Sequence, residues 1–150
     1  MTKRNRKKKH FSRFLTLKTE EEIEINASHN YGIYVEIMEK IVEQLDASIR
    51  IHKRVFVVLF ILHHRETCQD NEDLSTFMNV IKQWVRRNYK TKNIASVWVR
   101  EWEKAKSHHY HCALFIDGDE IRHSKRILQA IKTKWFKYGN VPIGFLKNPY

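Results

Sequence analysis

Cysteine, proline and glycine are scarce in this sequence, with two, two and four copies in 150 residues. Cys68 and Cys112 form no C-x-x-C pair, so neither a disulfide framework nor a zinc finger is expected. This usage is typical of a reducing compartment, and we predict a cytoplasmic location. There is no glycine-rich phosphate loop and no G-x-S-x-G turn, which argues against a P-loop ATPase or a serine hydrolase.

Long hydrophobic runs are also absent. The longest continuous apolar segment, residues 55–62, is far shorter than the roughly 20 residues that a membrane-spanning helix needs. The N-terminus is charged but has no apolar core of the kind found in secretory signals. We therefore expect no association with a membrane.

Acidic residues are missing from the first 18 positions, although the formal net charge of the chain is +11. Eight of the 28 Lys and Arg residues fall in this segment, and the rest of the chain is only mildly basic. We interpret residues 1–20 as a basic arm and linker, and residues 21–150 as one domain. Such an arm neutralises phosphates and favours nucleic-acid binding, with a solubilising tail as the alternative.

Hydrophobic periodicity predicts the element order α-β-α-β-β-α-β. Helices are expected over residues 31–49, after a cap at Asn71, and over residues 119–137. A β-branched run at residues 54–62 predicts a strand buried on both faces. Residues 94–103 and 109–116 predict a hairpin with a turn at 104–107, and residues 141–146 one further strand. The fold class is α+β, a central antiparallel sheet with flanking helices in a two-layer sandwich.

The predicted hairpin carries a group of metal-ligand side chains. His109 and His111 point to the same side of their strand, with Cα atoms about 6–7 Å apart, so both imidazoles can reach one cation. The partner strand supplies Glu101 and Glu103, either of which can reach the same ion. Imidazole and carboxylate together accept Mn²⁺, Zn²⁺ or Mg²⁺ with differing preference. Two strand histidines alone are more often solvated.

Other polar side chains have two interpretations. Of His63 and His64 at the end of the first long strand, only one can approach the metal, because adjacent residues face opposite ways. The alternative is a pair of surface histidines. The third long helix predicts a basic outer surface, which is either simply solvated or a track for single-stranded DNA. Its candidate DNA-binding residues are Lys125, Arg126, Lys132 and Lys134.

The strand His109-Tyr110-His111 resembles the defining motif of the HUH endonucleases, which comprise rolling-circle initiators, relaxases and single-tyrosine transposases. The segments Val97-Trp98-Val99-Arg100-Glu101 and His109-Tyr110-His111-Cys112-Ala113-Leu114-Phe115 further resemble replication proteins of the inovirus and prophage YagK/YfjJ-like type. The resemblance extends from residue 54 to residue 150 and is strongest over residues 97–118. It implies an antiparallel sheet that presents both histidines beside a third polar ligand, Glu101 by preference and Glu103 in reserve.

The resemblance also implies a function, which is initiation of rolling-circle replication in a phage or prophage. A member of this superfamily nicks and rejoins single-stranded DNA at an origin, by transesterification through a tyrosine beside a divalent ion. The ion is expected to be Mn²⁺ or Mg²⁺, with Zn²⁺ as a further option. Origin DNA and host replication proteins are the expected partners.

The sequence departs from the family at the nucleophile. The usual tyrosine follows H-x-H on a helix, commonly as Y-x-x-K, whereas only Tyr138 and Tyr150 follow His111 here. Tyr138 precedes Gly139 and has no lysine three residues on. We expect either a chain that stops before the tyrosine helix or an inactive relative that binds metal and DNA and regulates replication. A plain nucleic-acid-binding domain with incidental histidines is the remaining alternative.

Overall fold

The computed structural model describes residues 8–64, 71–101 and 109–139. Four short strands come first: β1 (Lys9–His10), β2 (Phe14–Thr16), β3 (Glu22–Glu24) and β4 (Ile33–Tyr34). They are followed by α1 (Val35–Ile51), β5 (Val55–His63), α2 (Glu72–Asn88), β6 (Ala95–Glu101), β7 (His109–Asp117) and α3 (Lys125–Gly139). Two compact units divide the chain, Met1–Gln44 and Leu45–Tyr150.

The first unit contains two small antiparallel pairs, β1 with β4 and β2 with β3. Leu15 and Leu17 are buried, and Arg13 forms an ion pair with Glu24 across β2 and β3. These strands have only two or three residues each, too few for a periodic pattern, which is why sequence analysis did not find them. The assignment of residues 1–20 to an arm and residues 21–150 to one domain stays a prediction.

The second unit is built on a three-stranded sheet in the order β5-β7-β6, antiparallel throughout. Its central strand β7 pairs with β5 on one side and with β6 on the other. The predicted α+β class, with helices flanking an antiparallel sheet, is confirmed. No helix within the described residues is long and apolar enough to cross a membrane.

Helices α2 and α3 cover one face of this sheet. Residues at helical spacing on both helices are fully buried, because each helix turns one apolar side toward the sheet. They meet the side chains of alternate strand positions in a single hydrophobic core. The core includes Val58, Phe60, Leu62, Leu74, Phe77, Ile81, Val85, Tyr110, Leu114, Ile116, Ile127, Ile131 and Trp135.

The other face of the sheet corrects the expectation for β5. Val57 and Leu59 are 42% and 40% exposed, whereas Val58, Phe60 and Leu62 are buried. The strand is therefore not buried on both faces. A continuous run of apolar residues does not show which alternate positions a helix covers, so the pattern overstated the burial.

Helix boundaries also differ from the predictions. Helix α1 begins at Val35, after the short strand β4, and α3 begins at Lys125, because a turn follows β7. In that turn the Glu120 and Asp119 amides donate to the backbone and side chain of Asp117. The turn predicted at residues 104–107 and the strand predicted at residues 141–146 lie outside the described residues.

The predicted cap of α2 has a different role. Asn71 lies at the N-cap position of α2, but its side chain makes no capping hydrogen bond. Its Oδ1 instead accepts a hydrogen bond from Arg100 Nη1 at 3.2 Å. This contact connects the start of α2 to the end of β6.

Candidate metal centre

The strand register brings Glu101, His109 and His111 together on the sheet face opposite α2 and α3. Glu101 pairs directly with His109 between β6 and β7, and Val99 pairs with His111. Paired residues project to the same side of a sheet, and so do residues two apart on one strand. The predicted convergence of the two histidines with Glu101 is therefore what the register produces.

Glu101 is the centre of this group. Its Oε2 lies 2.8 Å from His109 Nε2 and 2.8 Å from His111 Nε2. The two imidazole rings lie 5.1 Å apart between centroids, inclined by 66°. One ligand atom from each residue lies within 4.8 Å of the other two, as a site for a single ion requires. We refer to Glu101, His109 and His111 as the triad.

Hydrogen bonding lowers the pKa of the Glu101 carboxyl below its ordinary value. The bond from His111 contributes most, partial burial opposes it, and the bond and charge of His109 add to the lowering. The carboxylate is thus ionised at neutral pH, and both imidazoles donate to it because it can only accept. The His109 side chain is 13% exposed, while His111 and Glu101 are about half exposed.

The donor set of the triad suits a divalent cation. In a site with metal–ligand distances of about 2.1 Å, neighbouring ligand atoms lie about 3 Å apart, close to the spacing of Glu101 Oε2 from each imidazole. Each imidazole would exchange its Nε2–H bond to the carboxylate for a metal bond, and the other ring nitrogen would carry the proton. Three protein ligands leave coordination positions for water or a phosphate oxygen.

His63 and His64 separate as strand alternation requires. His63 pairs with His109 in the β5–β7 ladder, and the two rings lie 5.6 Å apart between centroids. His64 is buried, lies 3.3 Å from Asp73 of α2, and meets Trp135 edge-on. The interpretation of both as surface histidines is therefore wrong for His64.

The two tyrosine candidates are not brought to the triad by any described residue. Tyr138 lies at the end of α3, where its ring packs against Phe77 at 6.1 Å between centroids, next to the core between helices and sheet. Its side of the sheet is the one opposite the triad. Tyr150 lies outside the described residues, and so does Glu103.

The four candidate DNA-binding residues all lie on α3, which covers the face of the sheet opposite the triad. Arg126 and Lys134 line a shallow depression beside Trp84 of α2, but Lys125 and Lys132 do not. Lys125 and Arg126 are exposed, and Lys132 and Lys134 are half-buried. The structure therefore divides a surface that the sequence treated as one.

Sequence analysis missed the neighbours of Arg126. Asn88 and Tyr89 received no role, and Trp84 was assigned only to the apolar side of its helix. The spacing of Trp84 and Asn88 by four residues is a visible signal, since such residues are neighbours on a helix. Their contact with Arg126 depends on how α2 and α3 pack, which the sequence does not show.

Comparison with known proteins connects this site to a family. Residues 54–150, more than half of the chain, match the model of the replication-associated protein ORF2 family. The match includes β5, β6, β7, both helices of the second unit and the whole triad. Searches of curated proteins and of solved structures gave no match. The chain therefore belongs to the replication-associated protein ORF2 family, which connects it to replication and to a nucleic-acid partner.

Proposed function

We propose that this chain nicks and rejoins single-stranded DNA at a replication origin, by metal-assisted transesterification during rolling-circle replication. One observation carries the proposal: Glu101 Oε2 lies 2.8 Å from both His109 Nε2 and His111 Nε2 on a sheet face that the helices leave open. This arrangement occurs in a chain of a replication-associated family. The expected cation is Mn²⁺ or Mg²⁺, with Zn²⁺ as a further option.

The triad residues hold and orient the ion. A bound divalent cation polarises the scissile phosphate and offsets the charge that develops on its oxygens. His109 and His111 contribute neutral nitrogens from the central strand, and Glu101 contributes the anionic oxygen. Because the carboxylate already directs both Nε2 atoms to one point, ion binding needs little rearrangement of the side chains.

The half-exposed edge of the triad is where DNA would approach. His111 and Glu101 are about half exposed, and His109 is more enclosed. A phosphate can thus reach the open coordination positions without displacing a core residue. Single-stranded DNA fits an open site of this kind because its backbone is flexible.

The covalent step requires a tyrosine. Its oxygen forms a bond to phosphorus, the bond from phosphorus to the 3′ oxygen breaks, and the proton passes to the departing 3′-OH. Attack requires the hydroxyl within about 3–3.5 Å of the phosphorus. In the described part of the second unit, Tyr89, Tyr110 and Tyr138 all pack on the helix-covered side of the sheet.

This placement of the tyrosines favours a second candidate function. A chain that holds a metal and DNA at the triad, without covalent capture, would regulate replication rather than initiate it. The two candidates share the metal centre and the DNA partner. They differ only in the formation of a phosphotyrosine bond.

A cleavage assay tests the proposal. End-labelled single-stranded origin DNA and Mn²⁺ are incubated with the parent chain and with Glu101→Gln or His111→Ala, and the products are separated on denaturing gels. His123→Ala is the matched control, because this exposed histidine lies outside the triad. Cleavage by the parent and the control, but by neither triad variant, is expected. Cleavage that persists in both triad variants contradicts the proposal.

Covalent capture separates the two candidates. A shifted, protease-sensitive band that disappears in Tyr138→Phe or Tyr150→Phe would identify the nucleophile. Metal and DNA binding by the parent without cleavage or a shifted band would reject the nicking function and support the regulatory one.

A further inference from the structure

The outward surface of α2 and α3 has a one-sided charge. Beyond Asp73, α2 has three basic residues and no acidic one, and α3 has five basic residues and no acidic one. Ordinary solvated helix surfaces mix both signs. This surface lies on the side of the sheet opposite the triad. Its basic residues are Lys82, Arg86, Arg87, Lys125, Arg126, Lys132, Lys134 and Lys137.

Arg126 is held in a fixed position on this surface. Its Nη2 donates to Asn88 Oδ1 at 2.7 Å, and Asn88 Nδ2 donates to the Trp84 carbonyl at 2.8 Å. The guanidinium lies 5.7 Å from the ring centroid of Trp84 and 5.8 Å from that of Tyr89. No acidic residue in the described segments forms an ion pair with Arg126, so its charge is oriented but not neutralised.

A shallow depression lies beside this arginine, between α2 and α3. Its volume is about 280 Å³, and Trp84, Arg126, Gln129, Ala130, Thr133 and Lys134 line it. Trp84 is only half-buried. The depression therefore combines an aromatic surface with two cations, Arg126 and Lys134. We call it the helix groove.

Helical spacing shows which other basic residues lie along the helix groove. Lys137 follows Lys134 by three residues on α3, and Arg87 follows Trp84 by three residues on α2, so each lies one turn further on the same side. Lys125 and Lys132 are seven residues apart on another side of α3. The cations of α3 thus form two separate rows, and only one of them borders the groove.

We infer that the helix groove is a second DNA-binding site, which holds the backbone of single-stranded DNA on the side of the sheet opposite the triad. Cations along a groove with an accessible aromatic surface are the combination that binds single strands. An unpaired base can stack on Trp84, whereas the bases of a duplex are already stacked on each other. The inference goes beyond the proposed function, since it needs neither the metal nor cleavage.

Binding to labelled oligonucleotides in EDTA tests the groove without any contribution from a metal at the triad. Lys134→Glu reverses a charge in the groove, and Thr133→Glu adds an acid there without removing a cation. Lys125→Glu is the matched control, with the same charge change on the other row of α3. Removal of one interaction with a phosphate should lower affinity about fivefold or more at low salt and reduce the salt slope by about 0.7.

Tryptophan fluorescence locates the bound strand. Stacking of a base on Trp84 should quench emission, and the quenching should decrease in Trp84→Phe. Circular dichroism and thermal unfolding show that each variant is folded. His109→Ala with His111→Ala should bind the oligonucleotide as the parent does, which separates the groove from the triad.

The inference requires weaker binding by Lys134→Glu and Thr133→Glu, near-parent binding by Lys125→Glu, and quenching that depends on Trp84. Equal losses in all three charge variants would mean a diffuse basic surface and would overturn it. Undiminished binding by both groove variants would also overturn it. So would tighter binding of duplex than of single strand, or equal competition by an acidic polypeptide of the same charge.

Discussion

His63 of β5 lies directly across from His109 of β7, with ring centroids 5.6 Å apart and ring planes inclined by 31°. His109 is on the central strand, so it has Glu101 on one side and His63 on the other. The first of these contacts is a hydrogen bond, and the second restricts the ring by packing. His63 thus helps to set the orientation of a triad imidazole from the strand opposite Glu101.

Replacing His63 with alanine should therefore weaken metal binding without abolishing it. The expected loss of Mn²⁺ affinity is a few-fold, less than the about 10- to 100-fold that follows loss of an outer hydrogen-bond partner. Isothermal titration measures it, with His123→Ala as the control. An affinity equal to that of the parent would show that His63 does not orient His109.

Direct loss of the triad should have a much larger effect. The parent should bind one Mn²⁺, and the double variant His109→Ala/His111→Ala should bind none, because only one carboxylate then remains. Glu101→Gln should bind more weakly than the parent, since it keeps the oxygen but loses the charge. Similar titration curves for the parent and the double variant would exclude a metal centre at this position.

Acid should remove the stabilisation that Glu101 derives from the two histidines. The pKa of Glu101 is lowered in the folded chain, mainly by the hydrogen bond from His111. The unfolded chain therefore binds the proton first, and the stabilisation is present above about pH 4.3, the ordinary glutamate value, and lost as pH falls further. Half exposure keeps it below about 1 kcal/mol.

Urea unfolding of the metal-free parent and Glu101→Gln measures this dependence. The difference in unfolding free energy should be present near neutral pH and disappear in acid. Glu120→Gln makes the same charge change away from the two imidazoles and serves as the control. A difference between the parent and Glu101→Gln that is constant from neutral to acid pH would contradict the expectation.

Two leucines of β5 test which face of the sheet the helices cover. Leu62 is fully buried in the core with α2 and α3, whereas Leu59 is 40% exposed on the opposite face. Leu62→Ala should cost about 2–5 kcal/mol through lost burial and a cavity. Leu59→Ala removes the same atoms and should cost clearly less. Equal losses in denaturant unfolding would contradict the placement of the core.

The long elements of the second unit were readable from sequence because they are long and periodic. The apolar spacing of Leu74, Phe77, Ile81 and Val85 predicted α2, and the run through Val58 and Phe60 predicted β5. The short strands β1 to β4 were not predicted, because pairs such as Lys9–His10 carry no pattern. The boundary of α3 was wrong because the turn after Asp117 depends on individual hydrogen bonds.

The sequence by itself determined the ligands of the candidate centre. His109 and His111 are two residues apart on one strand, so alternation alone directs them to one side. The charge of α3 is likewise a matter of composition. Only the tertiary structure decided that Glu101 is in register with His109, that His63 rather than His64 adjoins the triad, and that Arg126 is oriented by Trp84 and Asn88. Contacts between distant parts of a chain depend on strand register and helix packing, and neither is encoded in local spacing.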